Sequence, residues 1–168
     1  DPEVAGEAVI AVVRRGRRPE HVEVETFLAR QDVDIRTGLL ILASLPALGA
    51  ESEPLLRDYF NHARAEYRAA AFNAYGNAFA PGRDPAEFRA FLDDPSQQVR
   101  QAVLRAMTRA KPLARDDILA LITSNYPDIR AYGARSSARL GRKEAAPILN
   151  DLIFDENDSV RQAAITMM

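Results

Sequence analysis

Two histidines, His21 and His62, are the side chains best suited to proton transfer or metal ligation near neutral pH. One begins a helix and the other ends one, in different registers, so they do not meet; each reads as a solvated helix-end residue. No His–Glu pairing occurs, which removes the iron-binding pattern of helical-repeat hydroxylases. Ser136 and Ser137 have no histidine nearby and read as small packing residues on a buried helix face. The carboxylate pairs Asp93-Asp94 and Asp116-Asp117 fall at helix termini, where acids complement positive helix ends, and read as that rather than as a metal pair. The 8 glycines are scattered and form no phosphate-cradling loop. With 0 cysteines, disulfide scaffolds, thiolate metal sites and cysteine nucleophiles are excluded. The inventory therefore predicts no catalytic, cofactor-binding or metal-binding residues, and no cofactor.

The elements that carry these residues come from 168 residues, 47% hydrophobic and 27% charged, enough for one domain with a sizeable core. The net charge of −2 gives no bulk electrostatic case for nucleic acid. No apolar run approaches the ~20 residues that span a bilayer, and no signal segment opens the chain. Cytoplasmic residence fits these features, as does a processed exported protein. The preference for arginine over lysine reads as genome composition.

An apolar residue followed by arginine recurs at Ile35-Arg36, Tyr67-Arg68, Val99-Arg100, Ile129-Arg130 and Val160-Arg161, with arginine intervals of 32, 32, 30 and 31. Twelve residues before each arginine stands an apolar marker: Val24, Leu56, Phe88, Ile118 and Leu149. Each marker is followed, three and four places on, by two more apolar residues, such as Phe91/Leu92 and Leu121/Ile122. One further step back reaches Ala5, a unit without its arginine. The repeats predicted are 1–31, 32–63, 64–94, 95–125, 126–156 and a partial 157–168.

Each unit reads as two helices. Val103, Leu104 and Met107 follow Arg100 at three, four and seven places, one face of a helix rather than a strand's alternation. Asp84-Pro85-Ala86-Glu87 and Asp94-Pro95-Ser96-Gln97 supply helix-start signals. Leu48-Gly49 and Leu140-Gly141 read as glycine-terminated helix ends.

The stretch SNYPDIRAYGARSSARLGRKEAAPILNDLIFDENDSVRQAA resembles the HEAT-like repeats of phycobilisome lyases, with an acidic cap, V-R, small residues, L-G and P-x-L-x-x-L-L. The likeness runs along essentially the whole chain. It implies an all-α, right-handed α-α superhelix of the HEAT/armadillo-like solenoid type, with second helices lining the concave side. Such repeats serve scaffolds, transport factors, lyase subunits and a few enzymes, so function must come from surfaces.

Three sets of residues follow. Arg36, Arg68, Arg100, Arg130 and Arg161 are expected to form a structural ladder, with acids two residues earlier such as Asp34, Glu66 and Asp128 as partners. Glu23, Asp58, Glu87, Asp117 and Asp151, one per second helix, are expected to face solvent as an acidic strip that takes a basic segment of a protein partner. Arg105 and Arg109, with Arg135 and Arg139 in the same registers of the next unit, are expected to form a basic patch on the convex side for acidic protein, phosphate or a membrane surface. Arg14-Arg15-Gly16-Arg17-Arg18 is a second basic cluster. TGLLILASL is apolar nearly all round and is expected to place Ile41 and Leu45 on the outer face.

The function expected is a non-enzymatic protein-interaction scaffold, part of a larger bacterial protein. The alternative is an accessory subunit of an enzyme, bilin-lyase- or chaperone-like, or a HEAT-like enzyme acting on nucleic acid. The partner's identity and the oligomeric state do not follow from the residues.

Overall fold

The computed structural model describes Ala11, Phe27, Leu28 and residues 35–168. Glu23, His21, the Arg14–Arg18 cluster and the rest of the first repeat apart from Ala11, Phe27 and Leu28 lie outside the described residues, as does Asp34. The described chain is all helical, with eight α-helices and no strand. They are α1 (Ile35–Ser44), α2 (Glu53–Asp58), α3 (Ala65–Ala78), α4 (Gln97–Arg109), α5 (Arg115–Ile122), α6 (Pro127–Ser136), α7 (Arg142–Leu152) and α8 (Asp158–Met167). Four 3-10 segments join them, at Leu45–Ser52, Tyr59–Asn61, Pro85–Phe91 and Ser137–Arg139. The second element of the third repeat, Pro85–Phe91, is thus a 3-10 turn rather than an α-helix.

Helix α4 illustrates why each unit must stack. Val99, Ala102, Val103, Ala106 and Met107 are buried, whereas Gln98, Gln101, Arg105 and Arg109 are exposed. Each large apolar side chain removed from water contributes about 1.5–3 kcal/mol, and a lone pair of helices cannot bury them. Helices α3 and α4 therefore lie against one another so closely that a Cβ on Gly76 would sit 3.0 Å from the Ala106 Cα. Likewise Gly133 of α6 lets α5 approach, since a Cβ there would stand 2.9 Å from the Ile122 amide nitrogen. An aromatic cluster ties the second repeat to the third, with Phe60 stacked on Phe72 at 3.9 Å and Phe91 edge-on to Phe72 at 4.9 Å. One core cluster runs from Phe27 to Ile129 and a second from Ala131 to Ala164, with Leu140 packed against both.

Several local expectations are corrected. Ile41 and Leu45 are fully buried, and the neighbouring Leu40 takes the outward place at 45% exposure. Helix α1 is rotated this way because Gly38 admits the Tyr67 ring, which turns Ile41 inward. Segment Ile35–Asn61 contains a window of mean hydropathy 1.3, yet it is no straight rod. Gly49, at φ 79° and ψ −156°, breaks it within the 3-10 segment, a left-handed geometry that favours glycine. Gly141 does not end a helix but is the N-cap of α7, at φ −57°. Helix α4 starts at Gln97, and Asp94 instead accepts from the Ser96 amide at 2.8 Å. Asp84 does cap its segment, accepting from the Ala86 amide at 2.9 Å.

Candidate interaction surfaces and the ladders that position them

Arginine geometry explains the recurring Val-Arg. The guanidinium is a planar fork, able to hold two acceptors along each edge. Arg68 uses one edge bidentately on Asp94, at 2.7 and 2.9 Å, and donates from Nη1 to the His62 and Ala63 carbonyls. Arg130 repeats this with Asp155, at 2.8 and 2.9 Å, and with the Ser124 and Asn125 carbonyls. Arg100 holds Asp128 at 3.1 Å through Nη2, donates to the Asp94 and Pro95 carbonyls, and lies 3.8 Å over the Tyr126 ring. Arg161 keeps the two carbonyl bonds, to Asp155 and Glu156, and turns its other edge onto Asp158. Arg68, Arg100 and Arg130 thus each tie the loop before their own helix to a carboxylate of the following unit, whereas Arg161 pairs within its own helix.

The ladder's acids differ from expectation. Asp128 stands two residues before Arg130, the expected position, and pairs with Arg100 of the preceding unit, but Asp94 and Asp155 stand six before Arg100 and Arg161. That sixth position accepts a backbone N–H two residues on in every described unit: His62 from Arg64, Asp94 from Ser96, Ser124 from Tyr126 and Asp155 from Asn157. Where it is Ser124, with no charge to offer, Asp128 replaces it as the arginine's partner. Glu66 stays exposed. Arg36 is exposed and pairs with no carboxylate among the described residues, so its place in the ladder is not met there; the equivalent acceptor position is His62, whose Nδ1 is engaged by the Arg64 amide.

These contacts set ionisation. The Arg130 fork, against some burial and aided by the Asn157 amide, holds the Asp155 carboxyl below its ordinary 3.8. At Asp94 burial pulls upward, and the Arg68 fork with the Ser96 amide more than reverses it. Arg68 and Arg130 are correspondingly raised by their carboxylates.

The second helices carry another ladder, which the residue pattern did not reveal. Arg57 donates to Glu87 at 2.9 Å and to the Tyr75 hydroxyl, while Glu53 accepts from Arg57 at 3.1 Å and from Arg83 at 2.7 and 2.8 Å. Burial pushes the Tyr75 hydroxyl up; Glu53 is lowered, since its arginine and tyrosine partners outweigh burial. One unit on, Arg89 grips Asp117, with Nε at 2.8 Å from Oδ1, and Asp117 also accepts from the Ala114 amide at 2.8 Å to cap α5. Its signal was an arginine just after the markers Leu56 and Phe88, facing an acid just before the markers one unit later.

This ladder corrects the acidic strip. Asp117 was expected to face solvent but is 2% exposed and held by Arg89. Glu87 is exposed, as expected, but is paired with Arg57. Asp58 and Asp151 are exposed, so among the described residues the strip is interrupted across its middle.

The four arginines of the expected basic patch fall on α4, on α6 and in the 3-10 turn after it. Arg105, Arg109, Arg135 and Arg139 are all exposed, and none pairs with a carboxylate among the described residues. Arg105 Nε donates to Asn73 Oδ1 at 3.1 Å, and Arg109 donates to the Arg105 carbonyl at 3.1 Å. Between the two stripes, Thr108 and Tyr132 share a hydrogen bond of 2.7 Å.

Of the residues weighed for chemistry, His62 stacks on Tyr59 at 5.4 Å. Ser137 donates to the Ala134 carbonyl at 2.7 Å inside the core. No group of three or more His, Asp and Glu suited to a metal occurs among the described residues.

Residues 85–168 match the family of HEAT repeats. No curated protein and no solved structure matches the chain. The match takes in half of the 168 residues, including helices α4 to α8 and the ladder arginines Arg89, Arg100, Arg130 and Arg161, and the chain belongs to the HEAT repeat proteins.

Proposed function

We propose that this chain is a non-enzymatic protein-interaction scaffold. The observation that carries the reading is the use of its polar groups. Arginines and acids between repeats are consumed in holding the stack, whereas Arg105 and Arg109 of α4, Arg135 of α6 and Arg139 in the turn after it project guanidiniums that pair with no carboxylate among the described residues. A stacked array of helices with an uncommitted charged face among the described residues suits recognition of another macromolecule better than turnover of a small substrate. HEAT repeats commonly mediate protein contacts, and the reading follows that general use.

The test is affinity capture on the immobilised chain from nuclease-treated source extract, with mass spectrometry of what is retained. A protein retained in near-stoichiometric amount supports the reading. Base excision by the purified chain, or chromophore attachment when a partner is added, would replace it with one of the enzyme-linked alternatives.

A further inference from the structure

We propose that the face formed by Arg105 and Arg109 of α4 with Arg135 and Arg139 of the α6 unit is a docking ridge for an acidic segment of a protein partner. The proposal rests on the scaffold reading and names its surface and the chemistry it recognises.

Four observations carry it. The guanidiniums are exposed and lack carboxylate partners among the described residues, where eight other arginines are ion-paired. Arg105 and Arg109 place like charges one turn apart on α4, an arrangement that destabilises a helix, so the stack gains nothing by keeping them. The Thr108–Tyr132 hydrogen bond joins the two stripes laterally; Arg105 and Thr108 lie three apart on α4, and Tyr132 and Arg135 three apart on α6, so both stripes border that contact. Finally, Arg105 and Arg109 are steered by neutral acceptors, the Asn73 amide oxygen and a backbone carbonyl, which orient the side chains without cancelling their charge.

The result is a grid of forks, with Arg105 and Arg109 one turn apart on α4, Arg135 on α6 across the Thr108–Tyr132 contact, and Arg139 in the 3-10 turn that follows. Carboxylates on a short peptide meet such a grid bidentately. A long polyanion fits it less well. With these four set aside, the chain's 24 acids face only 18 other bases, so a duplex extending beyond the ridge meets net repulsion, and four phosphate contacts fall short of the ~6–10 that give strong salt-dependent DNA binding. The ridge's own surroundings are polar: Asn73 and Thr108 rather than an apolar rim suited to lipid.

The test is fluorescence anisotropy with a fluorescein-labelled 16-residue peptide of alternating Glu and Ser, beside a 20-base-pair duplex and phosphatidylserine vesicles. The peptide should bind, weaken as salt rises, and lose at least tenfold in affinity with R105E/R135E and about as much with the milder R109Q/R139Q. The charge-matched control R64E/K143E, at two exposed sites elsewhere, should change affinity less than twofold. Peptide binding that survives both ridge variants, or falls equally in the control, overturns the proposal. Tighter binding of duplex or vesicles than of peptide at the same salt also overturns it. Should capture from extract retain a protein equally with the wild type and R105E/R135E, the ridge is wrong while the scaffold reading stands. Ridge-dependent peptide binding without any protein captured leaves the ridge and removes the scaffold reading.

Discussion

Asp155 shows how much one carboxylate does in this stack: it receives the Arg130 fork from the preceding unit and caps the turn through the Asn157 amide. Both partners of the pair are about nine-tenths buried, at 11% and 9% side-chain exposure, so truncation leaves a largely buried guanidinium with only the exposed Glu156, at 3.3 Å, as a carboxylate partner. Asp155→Ala should cost about 3–5 kcal/mol in urea unfolding at pH 7. The pH dependence has a definite sign. Asp94 and Asp155 titrate lower folded than unfolded, so their contribution is complete above the unfolded value near 3.8 and is lost as pH falls through the folded one. The melting temperature should therefore drop below about pH 4, and D94N/D155N should flatten that drop. A double variant as acid-sensitive as the wild type would mean that other carboxylates set the acid limb.

At the scale of elements, close helix approach and the second ladder make distinct forecasts. Gly133→Ala puts a methyl 2.9 Å from the Ile122 nitrogen and 3.0 Å from the Leu121 Cβ, where backbone leaves no room to relax; it should destabilise by about 1–3 kcal/mol. Gly141→Ala meets open space at a negative φ and should stay within about 0.5 kcal/mol. Asp117→Ala loses the α5 cap and a charged hydrogen bond but leaves Arg89, itself 42% exposed, able to find water, for a cost of about 2–3 kcal/mol. Asp58→Ala and Asp151→Ala, both exposed, should change stability by no more than about 0.5 kcal/mol. Equal costs at Asp117 and Asp151 in thermal melts would restore the solvent-facing reading of the strip. The residue pattern pointed to Glu87 and Asp117 but could not say what they faced, because the partner arginine sits 30 or 28 residues away.

For the whole molecule, stability should be a sum over neighbouring repeats. The core divides between Ile129 and Ala131, with Leu140 bridging. A chain ending at Asn125 should lose helical signal in proportion to α6–α8 and still melt cooperatively, at a lower temperature. Complete loss of helical circular dichroism in that truncation would show that the two core clusters fold only together.

The sequence by itself determined the period, the helix pairs and the ladder arginines. A spacing of 30–32 residues returns the same side chain to the same register in every unit, and 3.6 periodicity separates buried from exposed faces within a helix. Only the tertiary structure decided which acid each arginine holds, that Asp117 is buried, and that Ile41 rather than Leu40 turns inward. Those outcomes depend on how far one helix slides and rotates against the next. That offset is fixed by contacts between units, at Gly38 with Tyr67, Gly76 with Ala106 and Gly133 with Ile122, and a period read within one unit carries no information about it.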